Sequence, residues 1–267
     1  MISDVHGRFD KLMKALDDVN FNKDTDTLVS LGDAFDRGNQ NLEVLKFLMN
    51  LPHKILIWGN HDLRLRDVLL RKSEVCTYDY SNGMLETIKD LCGFKTISSI
   101  ADGAWMLENF TQCEDNYRLL LKYFSQCIYA AEFEDLICTH CWVPLRITVA
   151  PNSTLGKIEC IYSTLPDWRA ASKLEWEDVS WEHTENICKL NLFPDKKLIV
   201  GHWHAWRLRT MYGGTEPRNL KDMDFTTFCY EDKLVAIDGC SNFEYGVVNA
   251  YVYESAVEPK KFDLKQK

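Results

Sequence analysis

Five short polar motifs hold the side chains of this sequence that could do chemistry. Asp4-Val5-His6-Gly7 stands near the start. Gly32-Asp33-Ala34-Phe35-Asp36-Arg37-Gly38 and Gly59-Asn60-His61-Asp62 follow, and His140 and Gly201-His202-Trp203-His204 come later. Carboxylate oxygens and imidazole nitrogens are good ligands for divalent metal ions. The glycines among them let the backbone turn sharply beneath such ions. Any one of these motifs alone is common. All five in one chain, each directly after an apolar run, point to a single metal-binding crevice.

The apolar runs read as strands that deliver the motifs. Met1 to Ser3 reads as the end of a strand, and Thr27–Leu31 and Ile55–Trp58 as complete ones. Between them, Leu12, Ala15, Leu16 and Val19 recur at helical spacing, and a second helix runs from Leu42 to Leu51, where Pro52 closes it. Leu63–Leu70 begins a third. This βαβαβα order is that of a sheet with helices packed on it. Motifs placed just beyond strand ends can converge on a crevice without breaking the core. Helices are expected at 82–92 and 116–128, then a strand from Glu134 to Thr139 that ends at His140. Residues 150–190 carry Trp168, Trp176 and Trp181 among many charges and read as an irregular excursion with short helices. It could wall a substrate groove, or its tryptophans could simply pack it down. Strands return at Lys197–Val200, Thr226–Tyr230, Leu234–Asp238 and Val247–Tyr253, with short turns that imply antiparallel pairing. Lys260 to Lys267 reads as a charged, frayed end. No linker rich in Pro, Gly or Ser divides the chain, so residues 1–267 read as a single mixed α/β domain.

Composition narrows the possibilities. The 267 residues suffice for a substantial core, and no run of eighteen apolar residues suggests a membrane span. The first residues lack the pattern of a secretory signal, so a cytoplasmic location is expected. The ten cysteines show no framework and no Cys-x-x-Cys pair, and they read as mostly reduced thiols. A net charge of -9 argues against stable nucleic-acid binding. It also means that positive charge for an anionic substrate would have to be supplied locally, as bound metal ions could do.

In this order the motifs resemble the calcineurin-like metallophosphoesterase superfamily. The likeness is closest to its phosphoprotein phosphatase branch, which includes bacterial serine/threonine protein phosphatases and symmetrical diadenosine tetraphosphatases. It runs from Asp4 to Ala236-Ile237-Asp238-Gly239-Cys240, and Gly32-Asp33-x-x-Asp36-Arg37-Gly38 is its most specific stretch. The resemblance implies an α/β fold in four layers, with mixed β-sheets sandwiched between helices (α/β/β/α). It implies two divalent metal ions, Mn²⁺ first, with Fe or Zn²⁺ as alternatives for such an N/O ligand set. Asp4 and His6 would bind the first ion, Asp33 would bridge both, and Asn60, His140 and His202 would bind the second. Water would attack phosphorus directly, without a phosphoenzyme, between cations about 3.5 to 4 Å apart. His61 would protonate the leaving oxygen with Asp36 orienting it, and Arg37 would hold phosphate oxygens through its planar fork.

Three departures from the family pattern bear on the site. Cys141-Trp142 follows His140 where a small residue and glycine are usual, so Trp142 could narrow the site, stack on a ring or belong to the core. His204 is additional to the protein-phosphatase pattern and is expected to join the first metal, as in the wider superfamily. No arginine stands near Trp181-Glu182-His183, where a second phosphate-binding arginine is usual; Arg169 or His183 could replace it. The chain start is also unusual: only Met1 to Ser3 precede Asp4, so either the start is late or the strand is short, and a shortened central strand would lose ladder bonds and stability.

The expected substrates are phosphorylated protein or a small phosphate-containing molecule. A phosphomonoesterase of the serine/threonine protein phosphatase type ranks first. A symmetrical dinucleoside tetraphosphate hydrolase is the alternative, favoured by Asp62-Leu63 after the histidine, where protein phosphatases more often have glutamate. A nucleotide phosphodiesterase comes third, on the strength of His204. The oligomeric state is not legible.

Overall fold

The computed structural model describes residues 1–93, 105, 108–110, 113–150 and 160–264. Its first half follows the apolar runs closely. Helix α1 (Phe9–Asp18) leads to strand β1 (Leu28–Ser30), then α2 (Asn41–Asn50), β2 (Lys54–Ile57) and α3 (Asn60–Leu69). Two further helices, α4 (Thr77–Ser81) and α5 (Met84–Cys92), precede α6 (Glu114–Gln126). Short strands β3 (Cys127–Ile128), β4 (Ala130–Glu132) and β5 (Leu136–Thr139) come next, then a hairpin of β6 (Leu145–Val149) and β7 (Cys160–Thr164). Helices α7 (Lys173–Val179) and α8 (Thr184–Lys189) lead to β8 (Lys197–Val200) and α9 (Ala205–Met211). Strands β9 (Phe228–Tyr230), β10 (Leu234–Ala236) and β11 (Lys260–Phe262) end the described chain.

Two sheets stack face to face. The first runs β1-β2-β3, all parallel, with Ile2 bridged to Ser30 at its edge. The second runs β11-β4-β5-β8-β10-β9 and is mixed: β5, β8 and β10 are parallel neighbours, and the outer pairings are antiparallel. Side chains alternate across each strand, which splits the core in two. Val29, Ile55 and Ile57 face Leu136, Cys138, Ile199 and Val235 in a core between the sheets. Their neighbours Leu28, Leu56, Ile137, Leu198 and Leu234 face outward, into a larger core shared with the helices. These are the four expected layers. The C-terminal ends of the parallel strands β1 and β2 deliver the second and third motifs, and those of β5 and β8 deliver His140 and the fifth.

Several elements differ from the sequence expectations. The third helix begins at Asn60 rather than Leu63, because the Asp62 carboxylate accepts the Gly59 N–H (3.1 Å) and so caps the helix from its third position. The helix expected over 82–92 starts at Met84, behind Gly83 at positive φ. The helix expected to reach 128 ends at Gln126, and Ile128 instead joins the first sheet, accepting the Trp58 N–H at 2.9 Å. Val247–Tyr253 forms no strand: Val247 bonds to Gly239 and Tyr251 to Met1, with a single bridge at Ala250. Lys260–Phe262, expected to fray, pairs with β4, and Phe262 is buried against Trp168 and Trp176. The β6–β7 hairpin and α9 were not legible. Of the expected excursion, residues 151–159 lie outside the described residues. All ten cysteines are free thiols. Among the described residues no helix is long and apolar enough to cross a membrane.

Candidate metal centre

The motif backbones are held in conformations that ordinary residues avoid. Asp4, His6, Asp33, Asp36, Arg37 and His202 all have positive φ, between 46° and 71°. Such strain persists only where surrounding bonds impose it. Here Asp4 N–H donates to Gly32 O (3.1 Å) and His6 N–H to Asp33 O (3.0 Å), which locks the first two motifs together. The second and third motifs touch backbone to backbone. A Cβ on Gly59 would lie 2.1 Å from Asp33 Oδ1, so only glycine fits there.

Asp33 is the hub. Its Oδ1 accepts the His61 N–H (3.0 Å), and its carboxylate lies 3.7 Å from His6 Nε2, 4.0 Å from His61 Nε2 and 3.5 Å from His140 Nε2. Two groups of donor atoms share it: His6, Asp33 and His61 on one side, and Asp33, His140 and His202 on the other. Burial alone would raise the Asp33 pKa, yet His140, His61 and His6 together hold it well below the usual carboxylate range. Asp4 behaves differently. Burial, Asp238 and Asp33 push its carboxyl well up, despite hydrogen bonds from Ser3 Oγ and the His202 N–H (2.9 Å).

The histidines are set up as ligands. His6 Nδ1–H donates to Phe35 O (2.8 Å) and His140 Nδ1–H to Leu31 O (2.7 Å), which leaves the Nε2 lone pairs aimed inward. Burial lowers the pKa of His6, His140 and His202 against the opposing pull of Asp33, which favours their neutral, coordinating forms. The His140 Nε2 lone pair then stands 2.9 Å from Asn60 Oδ1 and 3.5 Å from Asp33 Oδ1, acceptor facing acceptor. That arrangement is repulsive without a cation among the three, and it fits a bound divalent ion. Together, the two groups sharing Asp33 fit a dinuclear centre.

Asp36, His61 and Arg37 stand beside this centre. His61 Nδ1 donates to Asp36 Oδ2 (2.8 Å), and Asp36 is fixed in turn by the Thr87 hydroxyl (2.8 Å). Burial lowers the His61 pKa, but Asp33 and Asp36 outweigh it and the net shift is upward. The exposed Arg37 guanidinium reaches His6 Nε2 and His61 Nε2, each at 2.9 Å. A cavity of about 300 Å³ opens over these groups and is also lined by Tyr78, Trp181, His183 and Trp203.

The departures noted in the sequence resolve individually. Trp142 is fully buried and donates to Leu192 O (3.0 Å), so it is core and cannot stack on a ligand. Arg169 is not at the site: Glu132 and Asp195 hold its guanidinium at 2.7 and 2.9 Å, beside a different cavity. His183 does line the central cavity. His204 also reaches the cavity, but its donor atom groups with Asp238 (3.8 Å) and Cys240 rather than with His6 and Asp33. Trp168 and Trp176 pack the excursion down, while Trp181 faces the cavity, so both readings of that segment apply to different tryptophans.

Sequence reasoning missed Asp62 and Thr87 as positioning residues. Asp62 Oδ2 accepts the N–H groups of both Asp33 (2.9 Å) and Gly59 (3.1 Å), joining the two central motifs. Burial, with the Asp33 charge adding, pushes its carboxyl up to about 8. The signal for Asp62 was its place in the third motif; nothing local marks Thr87.

Known proteins place the chain further. The family model for calcineurin-like phosphoesterases matches residues 1–237. A symmetrical bis(5'-nucleosyl)-tetraphosphatase of Hamiltonella defensa is 47% identical over 278 residues, covering 89% of this chain and 92% of its own. Serine/threonine-protein phosphatase 2 of Salmonella typhimurium is 39% identical over 83 residues, 31% of this chain, and the chain spans only 37% of that protein. A solved metallophosphoesterase from Sphaerobacter thermophilus is 13% identical, with 89% of this chain and 74% of that one covered and a TM-score of 0.43.

Proposed function

As this chain belongs to the calcineurin-like phosphoesterase family, and is a metal-dependent phosphoesterase, we propose that it hydrolyses dinucleoside tetraphosphates symmetrically to two nucleoside diphosphates. This reverses the order of substrates read from the sequence, in which a protein-phosphatase-like phosphomonoesterase came first. The observation that carries it is likeness along nearly the whole of both chains to the Hamiltonella defensa hydrolase, against a match to the Salmonella phosphatase that is confined to 83 residues. Asp62-Leu63 after His61 agrees with it.

Asp4 and His6 would hold one ion, Asn60, His140 and His202 the other, and Asp33 both. Mn²⁺ is the proposed metal, and the same nitrogen and oxygen set also suits Fe or Zn²⁺. When bound, the pair supplies Lewis-acid charge and an activated water. The chain's own residues do the rest. Arg37 offers a planar fork, open to the cavity, for the non-bridging oxygens of the phosphoryl group. Asp36 fixes the His61 ring through Nδ1, and once Arg37 turns from Nε2 to the phosphoryl oxygens, Nε2 can carry a proton to the departing oxygen. His204, whose donor atom groups with Asp238 and Cys240, would be a further ligand of the first ion.

The test is product analysis with Mn²⁺, with diadenosine tetraphosphate and a phosphoserine peptide supplied in parallel. Preferential formation of two ADP is expected. Faster release of orthophosphate from the peptide, with little ADP, would restore the phosphomonoesterase reading.

A further inference from the structure

The mouth of the central cavity carries two aromatic side chains that the chemistry at Asp33 does not use. Tyr78 lies in α4 and Trp181 just beyond α7, about a hundred residues apart in sequence. Their ring centroids are 6.1 Å apart and the planes are inclined at 55°, so the rings form an open wedge rather than a closed stack. Both are large and apolar, yet 43% and 40% exposed. Burial is available nearby, since the same excursion sinks Trp168 and Trp176 to 7% and 2% exposure. The short helix that carries Tyr78 is pinned: Asp79 accepts from Arg64 Nε (2.7 Å) and from the Cys76 N–H (2.8 Å). Tyr78 and Trp181 line the same cavity as Asp33, Arg37 and His61. That places the wedge beside Arg37 and the Asp36–His61 pair, where the leaving group departs.

We propose that Tyr78 and Trp181 bind the nucleobase of the departing nucleoside diphosphate and so select substrates that carry a flat ring beyond a diphosphate. This rests on the dinucleotide reading above. A base offers a π-face to either ring, and stacking of this kind tolerates different bases. A seryl or threonyl leaving group offers no such ring.

The test measures binding rather than turnover. The Mn²⁺-loaded protein is titrated calorimetrically with ADP and with methyl diphosphate, which keeps the diphosphate monoester but lacks the base. The wild type is expected to prefer ADP by about tenfold or more, the scale of one aromatic stacking contact. Trp181→Ala should remove most of that margin and Tyr78→Ala part of it, while Trp181→Phe should keep most of it. Equal affinity for the two ligands in the wild type would overturn the proposal, as would a margin that survives both alanine variants. Because ADP is the product, the margin is read whether or not the tetraphosphate is cleaved. A protein that releases two ADP but shows no margin has lost the wedge and kept the function. One that shows the margin but makes no ADP has kept the wedge and lost the function.

Discussion

The 2.8 Å hydrogen bond from His61 Nδ1 to Asp36 commits one ring nitrogen and leaves Nε2 on the cavity side, beside the Arg37 guanidinium. Replacing His61 by Asn should lower turnover by about 10² to 10⁴ for poor leaving groups, with metal content falling far less than in Asp33→Asn, since His61 belongs to one donor group and Asp33 to both. The loss should be much smaller for p-nitrophenyl phosphate, whose leaving oxygen needs little protonation. Equal losses for phenyl and p-nitrophenyl phosphate would remove His61 as the acid. Asp33→Asn should act differently: metal content, read by elemental analysis, and activity should fall together, because Asp33 belongs to both donor groups. The candidate ligands were legible because their types are distinctive and each follows an apolar run. Thr87 was not, because its link to Asp36 spans 51 positions and a threonine in a helix carries no local mark. Arg169 was misplaced for the converse reason: a free-looking arginine in sequence finds Glu132 and Asp195 in space.

At the scale of elements, the site depends on loops that touch backbone to backbone. Gly59→Ala would push a methyl group to 2.1 Å from Asp33 Oδ1, and the loop between β2 and α3 would have to move. The expected result is a loss of about 2 kcal/mol or more, read by urea denaturation, with weaker metal binding. Stability and metal affinity equal to wild type would show that the loops have more room than the structure gives them. The alternation of strands and helices in the first half could be read from the sequence, since β1 and β2 are short continuous apolar runs buried on both faces and α1 and α2 carry apolar residues at helical spacing. Their boundaries were blurred where a distant group decides them. Asp62 starts α3 early, and the Trp58 N–H draws Ile128 out of the preceding helix. The β6–β7 hairpin escaped notice because its strands are largely exposed, with Val149 and Ile161 at the surface, so no alternation marks them.

For the molecule as a whole, the stacked sheets bring parallel strand ends from distant parts of the chain to one edge, and this is what assembles residues 4 to 202 into one centre. The far side is held by other means, including the cluster of Arg169, Lys196, Glu132 and Asp195. Hydrogen bonds from Arg169 bring the Glu132 carboxyl down to about 2, against the opposing effect of burial. A depressed carboxylate pKa stabilises the fold above the unfolded value of 4.5, and that contribution is lost as pH falls toward 2. Arg169→Ala should therefore cost about 1 to 2 kcal/mol near neutral pH, with the gap in Tm from wild type narrowing below pH 4.5. Its kcat should be unchanged; a drop in kcat would bring Arg169 back to the site. The central claim is that water attacks phosphorus at this centre and divides a dinucleoside tetraphosphate into equal halves. Mass spectrometry of the products formed from diadenosine tetraphosphate in ¹⁸O-labelled water, with Mn²⁺ present, tests it most directly. The account predicts ADP as the sole nucleotide product, with a single ¹⁸O on the terminal phosphate of one ADP in each pair. AMP with ATP, unlabelled ADP, or the same rate after chelation of the metal would contradict it.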